Sequence, residues 1–209
     1  MTRTEVDGSI TVLADRFEGA RLNSPNDVVV KSDGTIWFTD PTYGIMSDYE
    51  GYRAEPEQPT RNVYRLDPTT GEIAAVVTDF TPAERPRLLT RRDNPLMADP
   101  AASHDESLPR QIRAFDVVDG KRLANGRVFC LINNGIPDGI RTDVNGSLWS
   151  SAADGVHCFD PTGKLIGKIR VPQTVANLTF GGAQRNRLFI AATRSVYSVY
   201  VAVSGAQVP

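Results

Sequence analysis

The sequence predicts an all-β protein of the β-propeller type, and three observations support this. Short β-type runs such as "GTIWFTD" and "GRVFCLI" follow one another along most of the chain. Gly, Asp, Asn and Pro separate them, and Asp-Gly or Asn-Gly pairs that favour tight two-residue hairpin turns recur at 7–8, 33–34, 119–120 and 145–146. One motif also occurs twice, with Pro, Asn or Asp, Gly and Trp at the same spacing. Its copies are "SPNDVVVKSDGTIWFTD" from residue 24 and "IPDGIRTDVNGSLWSSA" from residue 136. Chains of hairpins with internal repeats are typical of propellers.

The two copies align at an offset of 112 residues, which pairs Asn26 with Asp138 and Trp37 with Trp149. We expect the two tryptophans to pack in the core between blades, because large aromatic side chains at equivalent strand positions suit that role. A blade takes roughly 40–50 residues. The 209 residues therefore form about four to five blades, a single partial propeller domain spanning residues 1–209.

Composition and charge limit the kinds of molecule that the protein is expected to bind. Apolar residues make up 40% of the chain, enough for a core, and the net charge of −2 comes from interspersed acidic and basic residues. We therefore predict neither a nucleic-acid nor a membrane partner. The first residues lack the apolar run of a signal peptide, so we expect a cytoplasmic location. Cys130 and Cys158 lack metal-site spacing and are predicted to be buried thiols. The sequence does not fix the oligomeric state.

Residues 81–97 interrupt the pattern, since this arginine-rich segment shows no strand alternation. A third copy of the repeated motif is expected near its start. With permitted codons for Ala83 to Pro95, translation one base later gives P-N-G-L-A-F-S-P-D-E-T-T-L, which has the Pro-Asn opening of the first copy. We hypothesise a local frame error here, which the codons of this segment test.

The repeated Asn26/Asp138 position suggests a metal site. The innermost strand of each propeller blade lines a central channel, so equivalent positions meet near one axis. A ring of Asn and Asp oxygens there suits a hard cation such as Ca²⁺. Alternatively, Pro-Asn-Asp and Pro-Asp-Gly are ordinary turn openers, because Asx side chains bond their own backbone.

Four stretches resemble the gluconolactonase and regucalcin family, and the likeness covers nearly the whole chain outside residues 81–100. The stretches are "RLNSPNDVVVKSDGTIWFTDPTYG" (21–44), "ASHDESLPRQIRAFDV" (102–117), "IPDGIRTDVNGSLWSSAADGVHCFDPTGKLIGKI" (136–169) and "VANLTFGGAQRNRLFIAAT" (175–193). The resemblance implies a six-bladed propeller that hydrolyses sugar lactones with a divalent metal, usually Ca²⁺. It implies Asn26 and Asp138 as metal ligands, with Asn26 also near the substrate and Asp138 as the catalytic residue that orients or deprotonates water.

The chain also departs from the family pattern. Members supply a glutamate ligand from an "EGP" motif in the first blade, and this sequence contains no such motif, so we expect the first blade to be missing and metal binding to be weak. Four further residues are candidates for substrate contact: Arg21, Tyr43, His104 and Asn177. For Arg21 the alternative is an exposed loop position, and for Tyr43 it is packing.

We therefore predict a metal-dependent sugar-lactone hydrolase impaired by truncation, with a small-molecule lactone as its partner. Two alternatives remain at this stage. One is an organophosphate or other ester hydrolase on the same scaffold, and the other is an inactive fragment or binding module.

Overall fold

The computed structural model describes residues 1–49, 51–77, 87–89, 96–99 and 109–206. Two small hairpin sheets come first along the chain. Strand β1 (Thr2–Thr4) pairs with β2 (Ile10–Val12), and β3 (Arg16–Phe17) pairs with β4 (Ala20–Arg21).

Four larger antiparallel sheets follow, each a meander whose strands lie in chain order. The first sheet contains β5 (Val28–Val30), β6 (Ile36–Thr39), β7 (Val63–Leu66) and β8 (Ile73–Val77), with the short helix α1 (Tyr43–Met46) between β6 and β7. The second contains β9 (Arg87–Leu89), β10 (Leu96–Asp99), β11 (Gln111–Val118) and β12 (Arg122–Leu131). The third contains β13 (Ile140–Thr142), β14 (Leu148–Ala152), β15 (Gly155–Phe159) and β16 (Leu165–Arg170). The fourth contains β17 (Val175–Gly181), β18 (Arg187–Ala192) and β19 (Val196–Tyr200).

The first strands of these sheets lie side by side. Strand β9 packs against both β5 and β13, and β13 packs against β17. Each sheet thus presents its first strand to the same inner region, as the blades of a propeller do. The prediction of an all-β, propeller-type fold is confirmed.

Apolar seams join consecutive sheets face to face. Trp37 of the first sheet packs with Met97 and Phe115 of the second, and Trp149 of the third packs with Leu178 and Leu188 of the fourth. The second and third sheets share another seam, in which Ile112 meets Leu148. Both tryptophans are buried, at 1% and 8% exposure, so their predicted place between blades is confirmed.

The repeat seen in the sequence is also a repeat in strand register. Val29 faces Trp37 across β5 and β6, and Arg141 faces Trp149 across β13 and β14, at the same offset. The Asp-Gly and Asn-Gly signals do mark hairpins, but the predicted loop length was wrong at 33–34 and 145–146. The N–H of Gly34 donates to Lys31 O and that of Lys31 donates to Thr35 O, which encloses three residues. Gly34 closes this loop with a φ of +82°, a value that glycine adopts without strain.

The arginine-rich segment contains strands after all. Strands β9 and β10 pair antiparallel, with Leu89 opposite Leu96, so the expectation of no strand pattern was wrong where these strands lie. The hairpin forms because β10 also pairs with β11 and takes its place in the second sheet. The remaining residues of 81–97 lie outside the described part of the chain, and the frame-error hypothesis stays a prediction.

Cys130 and Cys158 are buried free thiols, as predicted. Burial raises the pKa of Cys130 to about 12 and that of Cys158 to about 11, so neither is a thiolate nucleophile at neutral pH. No helix in the described ranges has the length and apolar character needed to cross a membrane.

Candidate functional site

The candidate site lies where the inner strands β5 and β13 begin. Asn26 precedes β5, and its backbone N–H donates to Thr39 O at 3.0 Å. Asp138 precedes β13, and its backbone N–H donates to Ser151 Oγ at 3.0 Å. Asn26 is exposed and Asp138 is half-buried. The neighbouring strand thus holds the backbone N–H of each residue.

Asn177 lies beside the residue that follows Asp138. The N–H of Gly139 donates to Ala176 O at 2.9 Å, which ties the start of β13 to β17. A Cβ atom on Gly139 would lie 2.3 Å from Asn177 Oδ1 and 2.6 Å from Asn177 Cα. Only glycine allows so close an approach. The fold therefore brings the segment around Asp138 and the predicted substrate residue Asn177 together.

Charge also links β5 and β13, although β9 lies between them. Burial lowers the pKa of the Arg141 guanidinium on β13, and the carboxylate of Asp27, next to Asn26, partly opposes this effect. An electrostatic interaction between non-adjacent strands supports a common space for the starts of β5 and β13.

The side chains available to a cation here are oxygen donors. Among the described residues no group of three or more His, Cys, Asp and Glu side chains is placed to hold a metal. A cation at this end would therefore rely on Asp138, on amide oxygens such as those of Asn26 and Asn177, and on backbone oxygens or water. Such a set fits Ca²⁺, which takes six to eight oxygen ligands, and not zinc, which prefers nitrogen and sulfur.

Arg21 lines a separate cavity of about 410 Å³ between residues 21–24 and 44–57. Its side chain forms an ion pair with Glu57, with 2.5 Å between Nε and Oε1. Its backbone N–H donates to the other carboxylate oxygen of Glu57 at 2.6 Å. Arg21 is exposed, as its alternative interpretation expected, and Glu57 already neutralises its charge.

Tyr43 and His104 complete the predicted set. Tyr43 is the first residue of α1 and is half-buried, a position that agrees with a packing role as well as with substrate contact. His104 lies outside the described residues.

Comparison with known proteins assigns the family. The sequence profile described as SMP-30/Gluconolactonase/LRE-like region matches residues 2–194. The chain belongs to this gluconolactonase-like family. The resemblance noted in the sequence is therefore confirmed.

Individual members of the gluconolactonase-like family show the extent of the likeness. The chain is 29% identical over 208 residues to a gluconolactonase of Zymomonas mobilis subsp. mobilis, which covers 90% of this chain and 53% of that protein. The structure of a gluconolactonase from Xanthomonas campestris superposes with a TM-score of 0.82 and 35% identity, covering 98% of this chain and 64% of that one. A calcium-binding regucalcin from Agrobacterium tumefaciens gives a TM-score of 0.66 over 95% of this chain and 68% of that one, and at 16% identity this likeness shows the fold alone. The chain thus spans about half the length of the Zymomonas relative.

Sequence reasoning missed three residues in or near this candidate site. Gly139 is needed for the approach of β17, but its role depends on a strand that is distant in sequence. Arg141 could have been recognised from the sequence, because it is a charged residue at the position where the other copy of the repeat has Val29. Asp40, at the end of the apolar run "IWFT", was also a charged residue in an unusual place.

Asp40 holds the segment that leads to Asn26. Its carboxylate is fully buried and accepts from the backbone N–H groups of Asn23, at 2.8 Å, and Ser24, at 2.7 Å. Burial raises the pKa of Asp40 to about 6, although the two N–H donors act in the opposite direction. The carboxylate therefore positions the backbone just before the site.

We expect stability to fall as pH rises from about 4 to about 6. Over this interval the folded state retains a proton on Asp40 that the unfolded state, with its ordinary pKa of 3.8, has released. A shift of two pKa units corresponds to about 3 kcal/mol in the free energy of unfolding, as an upper value. Urea denaturation at a series of pH values measures this slope, and Asp40→Asn should remove it.

Asp33→Asn is the matched control for Asp40→Asn. Desolvation acts to raise the pKa of Asp33, but hydrogen bonds from Thr35 and the contact with Lys31 together lower it to about 2. The contribution of Asp33 to stability is therefore present above pH 4 and is lost as pH falls towards 2. The slope between pH 4 and 6 should survive in this variant. An unchanged slope in Asp40→Asn would show that another group carries the proton.

Proposed function

We propose that this protein hydrolyses sugar lactones at the end of the propeller where β5, β13 and β17 begin, with a divalent cation, most simply Ca²⁺. The observation that carries the proposal is the meeting of Gly139 with Asn177, which sets an Asx side chain from the fourth sheet beside the Asp138 segment of the third. Membership of a family that includes gluconolactonases supports the reaction class. Activity remains a proposal, because the chain spans only part of these relatives.

Asp138, Asn26 and Asn177 would hold the cation. A bound cation supplies a Lewis acid that polarises the lactone carbonyl. Asp138 accepts a proton from the attacking water and orients it, since it is the acidic side chain at the start of β13. The ring C–O bond then breaks and the departing ring oxygen takes the proton back from Asp138, which leaves an aldonic acid whose carboxyl group carries the water oxygen.

The chain's own structure supports this division of roles. The Asp138 backbone is fixed by Ser151 Oγ, and the Asn26 backbone is fixed by Thr39 O, so both side chains start from rigid strand ends. Rigid strands position reacting groups better than loops do. Asp40 adds a second support beneath the residues that precede Asn26.

Turnover of glucono-1,5-lactone, with and without Ca²⁺ and with EGTA, tests the proposal. We expect hydrolysis that EGTA abolishes and added Ca²⁺ restores. A phosphotriester such as paraoxon serves as the parallel substrate, and faster turnover of this compound than of the lactone would favour an organophosphate hydrolase. Calorimetric titration with Ca²⁺ tests the alternative of an inactive module. The absence of both turnover and Ca²⁺ binding at millimolar metal would favour that alternative.

A further inference from the structure

Arg141 introduces a positive charge where the repeated pattern has an apolar residue. It occupies the middle of inner strand β13 and faces Trp149 of β14, while Val29 occupies the equivalent place in β5 and faces Trp37. Charged side chains are seldom placed on inner sheet positions unless they are paired or functional. The presence of a charged residue at this position of β13 therefore needs a functional explanation.

The guanidinium is only partly satisfied. Its Nη1 donates to the carbonyl oxygen of Ile140 at 2.7 Å, a local contact within its own strand. Its Nε is buried and has no hydrogen-bond partner among the described residues. Asp27 acts on the guanidinium electrostatically from the start of β5. A buried donor without a partner costs free energy unless a ligand completes it.

Arg141 is one of a small group of charges on the inner-strand segments of the first and third sheets. Residues 26–30, 138–142 and 175–181 contain three ionisable side chains: Asp27, Asp138 and Arg141. The two carboxylates attract a cation, and the guanidinium opposes that attraction. With a divalent cation bound, the guanidinium and the cation are together complementary to a carboxylate or to an oxyanion.

We propose that Arg141 has two opposite electrostatic effects: it weakens cation binding and, in return, stabilises the negative charge that lactone opening creates and the aldonate that results. The proposal rests on the proposed function and adds a positioning residue to it, since the guanidinium acts through the field and not by touching the reacting atoms. It assigns opposite effects to one side chain, which a purely structural role would not produce.

Arg141→Met tests the proposal through two binding measurements and one kinetic one. Calorimetry should show Ca²⁺ binding about tenfold tighter, because a like charge near the cation has been removed. Inhibition by gluconate should weaken by roughly tenfold, and kcat/KM for glucono-1,5-lactone should fall by a similar factor. Arg141→Lys should stay within about twofold of the unchanged protein in Ca²⁺ affinity, because it keeps the charge.

Two control variants complete the experiment. Arg122→Met removes an arginine on an exposed hairpin, where the partner is Asp119, and should change none of the three quantities. Asp27→Asn combined with Arg141→Met should return Ca²⁺ affinity close to its original value, because one charge of each sign is removed.

The outcomes separate this proposal from the proposed function. Weaker Ca²⁺ binding in Arg141→Met, together with a lower unfolding midpoint, would show that Arg141 only stabilises the fold, and it would overturn this electrostatic role alone. Unchanged Ca²⁺ and gluconate affinities would also overturn it alone. Failure of the unsubstituted protein to bind Ca²⁺ would overturn the proposed function and this proposal with it.

Discussion

Asp138→Asn is expected to lower kcat/KM for glucono-1,5-lactone by about 10²–10⁴-fold, the range typical for loss of a general base. The variant also loses the negatively charged oxygen ligand, so Ca²⁺ affinity should fall. The contact with Ser151 Oγ should persist in the variant, because the backbone N–H of residue 138 makes it. A pH-stat assay of lactone opening and a Ca²⁺ titration measure both effects.

Asp119→Asn makes the same chemical change far from this site and is the matched control. Asp119 is exposed on the hairpin between β11 and β12, with a φ of +53° that asparagine tolerates well. Its activity should equal that of the unsubstituted protein. Full activity in Asp138→Asn would remove Asp138 from the reaction and would require another residue to accept the proton.

Gly139→Ala is expected to destabilise the protein by about 3 kcal/mol, the upper end of typical overpacking costs. The new methyl group would overlap the Cα and side-chain oxygen of Asn177, and it could be accommodated only by separating β13 from β17. Activity should fall as well, since Asn177 would move away from the Asp138 segment. Urea denaturation gives the free energy of unfolding, and the lactone assay gives the activity.

Gly167→Ala controls for the effect of adding a methyl group to a strand. Gly167 lies in β16 with no heavy atom within 4 Å of the position that its Cβ would take. Glycine is unfavourable inside strands, so this substitution should be neutral or slightly stabilising. Equal free energies of unfolding for Gly139→Ala and Gly167→Ala would mean that β13 and β17 can separate without loss of stability.

Local pattern was sufficient to predict most of the strands outside residues 81–97, the hairpins and the places of Trp37 and Trp149. Side-chain alternation and turn glycines act over a few residues, so they can be recognised in a single sequence. The repeat also indicates a common strand register, because an identical spacing between the turn and the tryptophan implies that the two strands pair in the same way in both copies. The hairpin loops were longer than predicted, since Asp-Gly also occurs in three-residue loops.

Contacts between sheets could not be predicted in the same way. The meeting of Gly139 with Asn177 and the interaction of Asp27 with Arg141 join residues from different sheets, and no local rule specifies which blades approach. Arg21 shows the same difficulty, because its partner Glu57 comes from a long connection with no periodic pattern. Strands β9 and β10 formed in an unpromising segment because neighbouring strands offered pairing partners, a case of tertiary context overriding local propensity.

The apolar seams suggest why the two copies of the motif have diverged so far. Each sheet meets a different neighbour on each face, so Trp37 must fit Met97 and Phe115 while Trp149 must fit Leu178 and Leu188. A mutation at one seam is therefore not constrained by the packing at the other, and the two copies of the motif can change in sequence independently. What both must keep is the geometry common to any blade, and the tight-turn glycine and the bulky indole are identical in the two copies.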